Sequence, residues 1–357
     1  MRKTLRRVRL AIIGAGGMAN THVKLFRDVP GCVIVAAVDV DPKRVADFCE
    51  RHTIANAFTD VGELLATVEF DAVSIVTTDA THEPLSIRFL RAGKHVLCEK
   101  PLALDHAGAR RMLAAARESG RVHMVNLSYR NIPALHAAAK LIAKGGLGEL
   151  RHVEASYLQS WLLQDAWGDW HTQPGWLWRL SKRHGSKGAL GDIGVHLVDY
   201  AMFPAGPITS VSARLKVFPK APRGRIGPYV LDANDSAIIS AEFANGALGT
   251  LHTTRWSGGH HNRLFIRISG TRGSIEIDPD LSTEHYRICR GPDLKTTTWR
   301  KVKAPKVPNV HRRFITSIRT GKPERPDFSD GAAAQAVLDA AFESDSSGRT
   351  VNVRRST

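Results

Sequence analysis

The sequence predicts two halves of different construction: an N-terminal doubly wound parallel α/β sheet, then a mostly antiparallel α+β domain built on an open sheet. Three observations carry this. Short Val/Ile-rich runs alternate with helical patterns over the first 127 residues, as strands buried on both faces require. A glycine-rich turn follows the first of those runs. Beyond about residue 150 the apolar period becomes two, the mark of a sheet with one wet face.

In the first half Val8–Ile13, Val33–Asp39, Ala72–Val76, His95–Cys98 and Val122–Asn126 read as strands. The clearest helix between them runs from Asp105 to Ser119. Asp105 suits an N-cap, Ala109, Met112, Leu113 and Ala116 form one stripe, and Gly120 suits the C′ position. In the second half Val211, Ala213, Leu215 and Val217 alternate with Ser212, Arg214 and Lys216. Ala237, Ile239, Ala241 and Phe243 alternate with Ser236, Ser240 and Glu242, and Leu264, Ile266 and Ile268 with Arg263 and Arg267. Asn245-Gly246 between such runs is a hairpin signal. A late helix over about Asp330–Phe342 carries Ala333, Ala336, Val337, Ala340 and Ala341 on one stripe. The expected division is a Rossmann-type α/β domain over 1–127 and an α+β domain over 128–357.

Composition narrows the function. The 357 residues are 43% hydrophobic and 24% charged, which excludes disorder, collagen and a coiled coil. No stretch reaches the roughly 18 apolar residues of a membrane span, so no membrane partner is expected. Four cysteines without a C-x-x-C argue against a disulfide framework or zinc knuckle and fit a reducing compartment. The 50 Lys+Arg against 34 Asp+Glu give a net charge of +16. A solvated basic surface that steers anionic ligands and nucleic-acid binding are both consistent with this. Aromatics at 7%, a basic charge spread along the whole chain and no zinc-finger or RNA-recognition signature favour the former. Arg2, Lys3, Arg6, Arg7 and Arg9 before an apolar run imitate a signal peptide. That run contains the glycines of a phosphate-binding pattern, so it reads as mature structure and the protein as cytoplasmic.

Gly14-Ala15-Gly16-Gly17-Met18-Ala19 matches G-x-G-x-x-A between a strand and a helix. Gly14 allows the tight turn, and Gly16 lets backbone N–H groups approach a pyrophosphate at the helix N-terminus. A glycine-rich turn without a ligand is the plainer alternative. Asp39 ends the second strand. There it suits ribose hydroxyls and repels a 2′-phosphate, which favours NAD over NADP, although Lys43 and Arg44 can accommodate a phosphate. Equally, Asp39-Val40-Asp41-Pro42 reads as a polar turn capping the next helix. Lys100, in Glu99-Lys100-Pro101 after the fourth run, is a surface charge or a donor to a substrate oxygen. Asp192 and His196 are i, i+4 neighbours in a predicted helix, with Asp199 a turn further. They form either a surface ion pair or a general acid/base.

Taken together, the glycine motif, Glu99-Lys100-Pro101, Asn126-Leu127-Ser128-Tyr129-Arg130 and Gly191-Asp192-Ile193-Gly194-Val195-His196 resemble the Gfo/Idh/MocA oxidoreductase family. That family is named for glucose–fructose oxidoreductase, inositol dehydrogenase and a rhizopine-catabolism protein. The resemblance covers nearly the whole chain, including Phe314-Ile315-x-x-Ile318-Arg319-x-Gly321-Lys322-Pro323 and Asp330-Gly331. It implies hydride transfer between nicotinamide and a secondary alcohol of a sugar, cyclitol or related polyol. Lys100 matches the lysine that contacts the reacting oxygen, His196 the general acid/base and Asp192 its neighbouring acid. Relatives often have the Lys100-Pro101 bond cis. Cofactor contacts are implied for Gly14, Gly16, Gly17, Met18, Asp39, Glu99 and Lys100. They are implied also for Thr77, Thr78 and His82, in a segment where Thr78 and Asp79 replace the Pro and Asn of a T-P-N-x-x-H pattern. Trp178-Arg179 resembles a W-R pair near the cofactor. Relatives commonly pair their sheets, so a homodimer or homotetramer is expected.

Substrate contacts are read from Tyr157, Gln159 and Trp161 at the end of a strand, and from His171 within a run holding five of the seven tryptophans. Aromatic faces suit the C–H faces of a pyranose, and Gln159 and His171 suit its hydroxyls. A tryptophan-stabilised loop or a subunit contact has equal standing. His260-His261 has no further ligand at usable spacing, so no metal is expected. Two other function classes remain: glycoside cleavage by transient oxidation on NAD, and a non-catalytic NAD-responsive binder. Intact Lys100, Asp192 and His196 count against the second.

Overall fold

Parallel strands buried on both faces need helices to cover them, and the first part of the chain supplies both in alternation. The elements are β1 (Val8–Ile13), α1 (Gly17–Arg27), β2 (Cys32–Val38), α2 (Pro42–Arg51), β3 (Asn56–Phe58), α3 (Val61–Thr67), β4 (Ala72–Ile75), α4 (Asp79–Arg91), β5 (His95–Cys98), α5 (His106–Ser119) and β6 (His123–Val125). The structure, a computed structural model, describes residues 6–354. Arg2 and Lys3 of the basic run lie outside the described residues. The strands pair in parallel in the order β3-β2-β1-β4-β5-β6. The order reverses between β1 and β4, so a ligand crevice opens outside the carboxyl ends of those strands. β3 escaped the sequence pattern because it is three residues long, with Asn56 and Phe58 only half-buried and Ala57 exposed. α5 starts and stops where expected: Asp105 accepts from the Gly108 N–H, and Gly120 takes a left-handed φ of 61°.

A second unit begins at Tyr129. It contains α6 (Pro133–Ala143), β7 (Leu150–Gln159), α7 (Pro174–Leu177), α8 (Val195–Ala205), β8 (Ile208–Lys216), β9 (Arg225–Ile226), β10 (Tyr229–Val230), β11 (Ser236–Phe243), β12 (Leu248–Thr254), β13 (Asn262–Gly270), β14 (Gly273–Ile277), β15 (His285–Arg290), α9 (Asp293–Thr296) and β16 (Arg300–Lys303). After α10 (Val310–Thr320) and α11 (Phe328–Ser347) comes β17 (Val351–Asn352). Nine strands join in the order β16-β15-β14-β13-β7-β12-β11-β8-β17. Their pairing is antiparallel except between β12 and β7. The period of two divides the sheet as expected: Ala237, Ile239, Ala241 and Phe243 are buried, while Ile238 and Leu248 point to solvent. α8 covers β7, β12 and β13.

The compact units are the residues up to Ser128 with Pro308–Ala332, and Tyr129–Val307 with the residues from Ala333 on. This differs from a single boundary at 127/128. The reason is apolar packing. Val310, Phe314, Ile315 and Ile318 of α10 share one buried cluster with Val8, Ala19, Val23 and Phe26, so α10 completes the core of the first unit.

Candidate active site

In the first unit the glycine turn is built by a close approach. Gly14 has φ +97°, and a Cβ there would sit 2.5 Å from the Val76 carbonyl oxygen. Only glycine meets both demands. Gly16 and Gly17 differ, since a Cβ on either would meet nothing within 4 Å. Their missing side chains leave open space at the N-terminus of α1, where the capping residue supplies no side-chain bond. That space and those N–H groups fit a pyrophosphate. Met18 is exposed beside them. Asp39 stands at the same mouth, with Oδ2 accepting from the Ala15 N–H at 2.8 Å and Oδ1 from the Asp41 N–H and the Arg44 guanidinium at 3.0 Å each.

Lys100 follows β5, and its bond to Pro101 is cis. Beneath it lies a closed polar network. His22 of α1 is fully buried, with Nδ1 2.8 Å from Ser74 Oγ and Nε2 2.8 Å from Glu99 Oε1. Asn126 donates to the same Oε1 at 2.6 Å, and the Lys100 N–H donates to Oε2 at 3.0 Å. Burial opposes charge on Glu99, but the bond from His22, with help from Asn126 and Lys100, holds its carboxyl down to about 2. Thr77 and Thr78 lie between β4 and α4, with Thr78 at the N-cap of the helix. Thr77 Oγ1 accepts from Thr81 Oγ1, and Thr78 is exposed. His82 is fully buried, with Nδ1 2.8 Å from the Pro101 carbonyl and Nε2 3.2 Å from that of Thr77. It ties the loop after β5 to the start of α4, and the Glu99 carboxylate is likewise engaged by internal partners.

In the second unit the predicted helix starts irregularly. Leu190–Gly194 is a π-helical turn leading into α8, a distortion common at functional sites. Gly191 permits it, because a Cβ there would lie 2.1 Å from Lys187 Cβ. Asp192 Oδ2 accepts from Arg179 at 3.1 Å and from Arg255 at 2.9 Å. Arg255 is fully buried, with its guanidinium 4.8 Å from the centre of the Trp161 ring. Arg179 stacks over Trp178 at 4.8 Å. The buried ring of His196 meets Tyr129 edge-on at 5.0 Å and lies 6.4 Å from Tyr157. Asp199 does not extend this group: it is buried in a bidentate pair with Arg130.

The residues read as substrate contacts divide. Tyr157, Gln159 and Trp161 are buried and form one hydrogen-bonded chain with the half-buried Asn262 and Tyr129. Trp161 Nε1 donates to Gln159 Oε1, Gln159 Nε2 to Asn262 Oδ1, and Asn262 Nδ2 to Tyr129 Oη, which bonds Tyr157 Oη. The amide of Gln159 is thus engaged on both its nitrogen and its oxygen by neighbouring side chains. Burial pushes both tyrosine hydroxyls up, so they stay protonated. His171 stands apart, exposed, paired with Asp169 and stacked on Trp170. Among the described residues no cluster could hold a metal. Sequence reasoning missed His22, Arg255 and Asn262. Asn126 and Tyr129 lay inside a quoted motif but without a role.

A Rossmann sheet with an open glycine turn after β1 and a lysine beyond the carboxyl end of β5 fits a nicotinamide-dependent oxidoreductase. Residues 8–127 match the family model for the NAD-binding Rossmann fold of the Gfo/Idh/MocA oxidoreductases, and residues 135–276 match that of their C-terminal domain. The chain belongs to this family and is an NAD(P)-dependent enzyme acting on CH–OH groups. It is 27% identical over 386 residues to levoglucosan dehydrogenase of Pseudarthrobacter phenanthrenivorans, covering 95% of this chain and 96% of that one. It is 30% identical over 272 residues to 1,5-anhydro-D-fructose reductase of Ensifer adhaerens, covering 75% and 74%. A solved levoglucosan dehydrogenase in complex with NADH and levoglucosan superposes with a TM-score of 0.87 at 26% identity, over 98% of this chain and 100% of that one. A scyllo-inositol 2-dehydrogenase (NADP(+)) of Bacillus subtilis is 31% identical over 198 residues, 56% of this chain and 57% of that one.

Proposed function

We propose that the chain oxidises a secondary alcohol of a sugar or cyclitol, with NAD as the preferred cofactor. The observation that carries this is the placement of Lys100. It stands at the carboxyl end of β5 on a loop fixed from beneath, in the unit whose glycine turn leaves room for a pyrophosphate. When bound, the nicotinamide supplies the hydride acceptor. Lys100 holds the substrate oxygen and stabilises charge on it as the hydroxyl proton leaves. His196 takes that proton. Asp192, anchored by Arg179 and Arg255, orients the group around His196. Sugar-like substrates are supported by the relatives named above and by the tryptophan-rich segment.

Asp39 favours NAD by repelling a 2′-phosphate, but Arg44 offsets part of that charge, so the preference is modest. Titration of both nucleotides by protein fluorescence tests it, and tighter NADP binding overturns it. Asp39→Ser should narrow the gap. We also infer a cytoplasmic homodimer or homotetramer joined through the outer sheet face bearing Ile238 and Leu248. Light scattering that gave only a monomer at micromolar concentration would reject the assembly. The deciding assay is a screen of polyols and sugars with NAD for NADH formation. Release of sugar from glycosides without net NADH would point instead to cleavage by transient oxidation.

A further inference from the structure

We infer that His22 is a positioning residue for the reaction: through Glu99 it fixes the main chain from which Lys100 projects. The inference rests on the reading that Lys100 acts at the reacting oxygen. His22 lies in α1, far in sequence from the strand ends it joins. It spans Ser74 of β4 and Glu99 beyond β5, while Asn126 beyond β6 closes the network from the other side. An ionised carboxylate only accepts hydrogen bonds. His22 Nε2, the Asn126 amide and the Lys100 N–H are therefore all donors to Glu99, and its two oxygens are divided between the network and the Lys100 backbone.

Stability alone gives a poor reason for this arrangement. Burying a charged carboxylate among polar partners contributes little over an apolar replacement of the same shape. His22, Ser74, Glu99 and Asn126 are each under a tenth exposed, so none is a surface residue kept for solubility. The network sits at the carboxyl ends of the parallel strands, where the crevice opens, and it ends on one backbone N–H, that of Lys100. What it secures is direction. A lysine side chain has four rotatable bonds, so its reach to a reacting oxygen is only as exact as the backbone that carries it.

The test is a kinetic series on the full-length enzyme with whichever polyol the screen identifies. His22→Leu removes the donor to Glu99, and His22→Gln retains an N–H at the same reach. A loss of alignment at a reacting centre costs up to about 100-fold. We expect His22→Leu to lower kcat about 10- to 100-fold while the NADH dissociation constant, read by fluorescence, stays within twofold. His22→Gln should recover most of the loss. In a Lys100→Met background, His22→Leu should lower kcat no further, because it acts through the missing ammonium. Equal losses in both backgrounds, a parallel loss of NADH binding, or an unchanged kcat would overturn the inference. Should His22→Leu fail to fold, Ser74→Ala and Glu99→Gln carry the same comparison. Failure of the underlying reading shows separately, as a Lys100→Met enzyme with near wild-type kcat.

Discussion

Glu99 and Asp192 are both carboxylates held close to candidate chemistry, yet they are held by opposite means. Glu99 is almost wholly buried, and its hydrogen-bond donors are an imidazole, an amide and a backbone N–H. Asp192 has a side chain 24% exposed, and one of its oxygens is shared by two guanidiniums. The first is a fixed part of the scaffold, whose charge is spread over donors aimed at it from two strand ends and a helix. The second is an ion cluster in which each member depends on the others. Arg255 shows this most clearly: burial lowers its pKa, and Asp192 is the charge that opposes the shift.

The largest effect should come from the two side chains to which the proposed function assigns the proton transfer. Lys100→Met and His196→Ala should each lower kcat by about 10²–10⁴ with nucleotide binding near wild type. If they serve one proton transfer, as proposed, the pair of changes should cost little more than one alone. Additive losses would overturn that proposal. Next comes stability. Asp192→Asn weakens the compensation of the buried Arg255 guanidinium, and a hydrogen bond to a charged group is worth about 1.5–3 kcal/mol. Urea denaturation should show a loss of about 1–3 kcal/mol, reduced from the buried-pair value by partial solvent exposure. An unchanged midpoint would mean that Arg179 and Arg255 do not rely on Asp192.

His311 sharpens the contrast as a buried polar group of a third kind. Its ring packs edge-on against His22 and Phe26, and neither nitrogen has a hydrogen-bond partner among the described residues. Burial, and after it His22, lower this imidazole from 6.5 to about 3. The unfolded chain therefore takes up a proton first on acidification. The contribution of neutral His311 to stability is complete above about pH 6.5 and is lost as pH falls toward 3. At pH 5 the loss is about 2 kcal/mol, from 1.36 kcal/mol per pH unit. His311→Phe should escape it, so its advantage in urea midpoint over wild type should widen from pH 7.5 to pH 5. A constant gap would refute the assignment. The smallest effect is expected at His171, which is exposed and paired with Asp169. His171→Ala should leave kcat/KM within about twofold, as surface changes usually do.

What was legible in the sequence follows the same division. In a parallel sheet chemistry gathers at the carboxyl ends of strands, so Gly14, Asp39 and Lys100 were visible from strand endings and a motif. His22 was not, because its partners Ser74 and Glu99 lie 52 and 77 residues away and no local period encodes such a pairing. Asp192 and His196 were visible as a helical spacing, although a π-helical turn opens that helix. Arg255 and Asn262 were hidden, joined to Asp192 and Gln159 across 63 and 103 residues. The partners of Gln159 were hidden for a related reason: an amide at a strand end does not announce in sequence which neighbours engage it. The domain boundary failed at α10, whose apolar stripe says that it covers something but not what.

That misplaced helix has a consequence for how the protein is made. The sheet β1–β6 leaves the ribosome complete by Ser128, but α10, which fills out the core beside Val8 and Phe26, lies beyond Pro308. At synthesis rates of about 5–20 residues per second, the nascent Rossmann unit waits roughly 10–35 seconds for its last piece. Through that interval the apolar surface that Phe314 and Ile315 will cover is bare. A nascent chain stalled before Pro308 should therefore bind chaperones and be cut by proteases at α1, and one released after Thr320 should resist both.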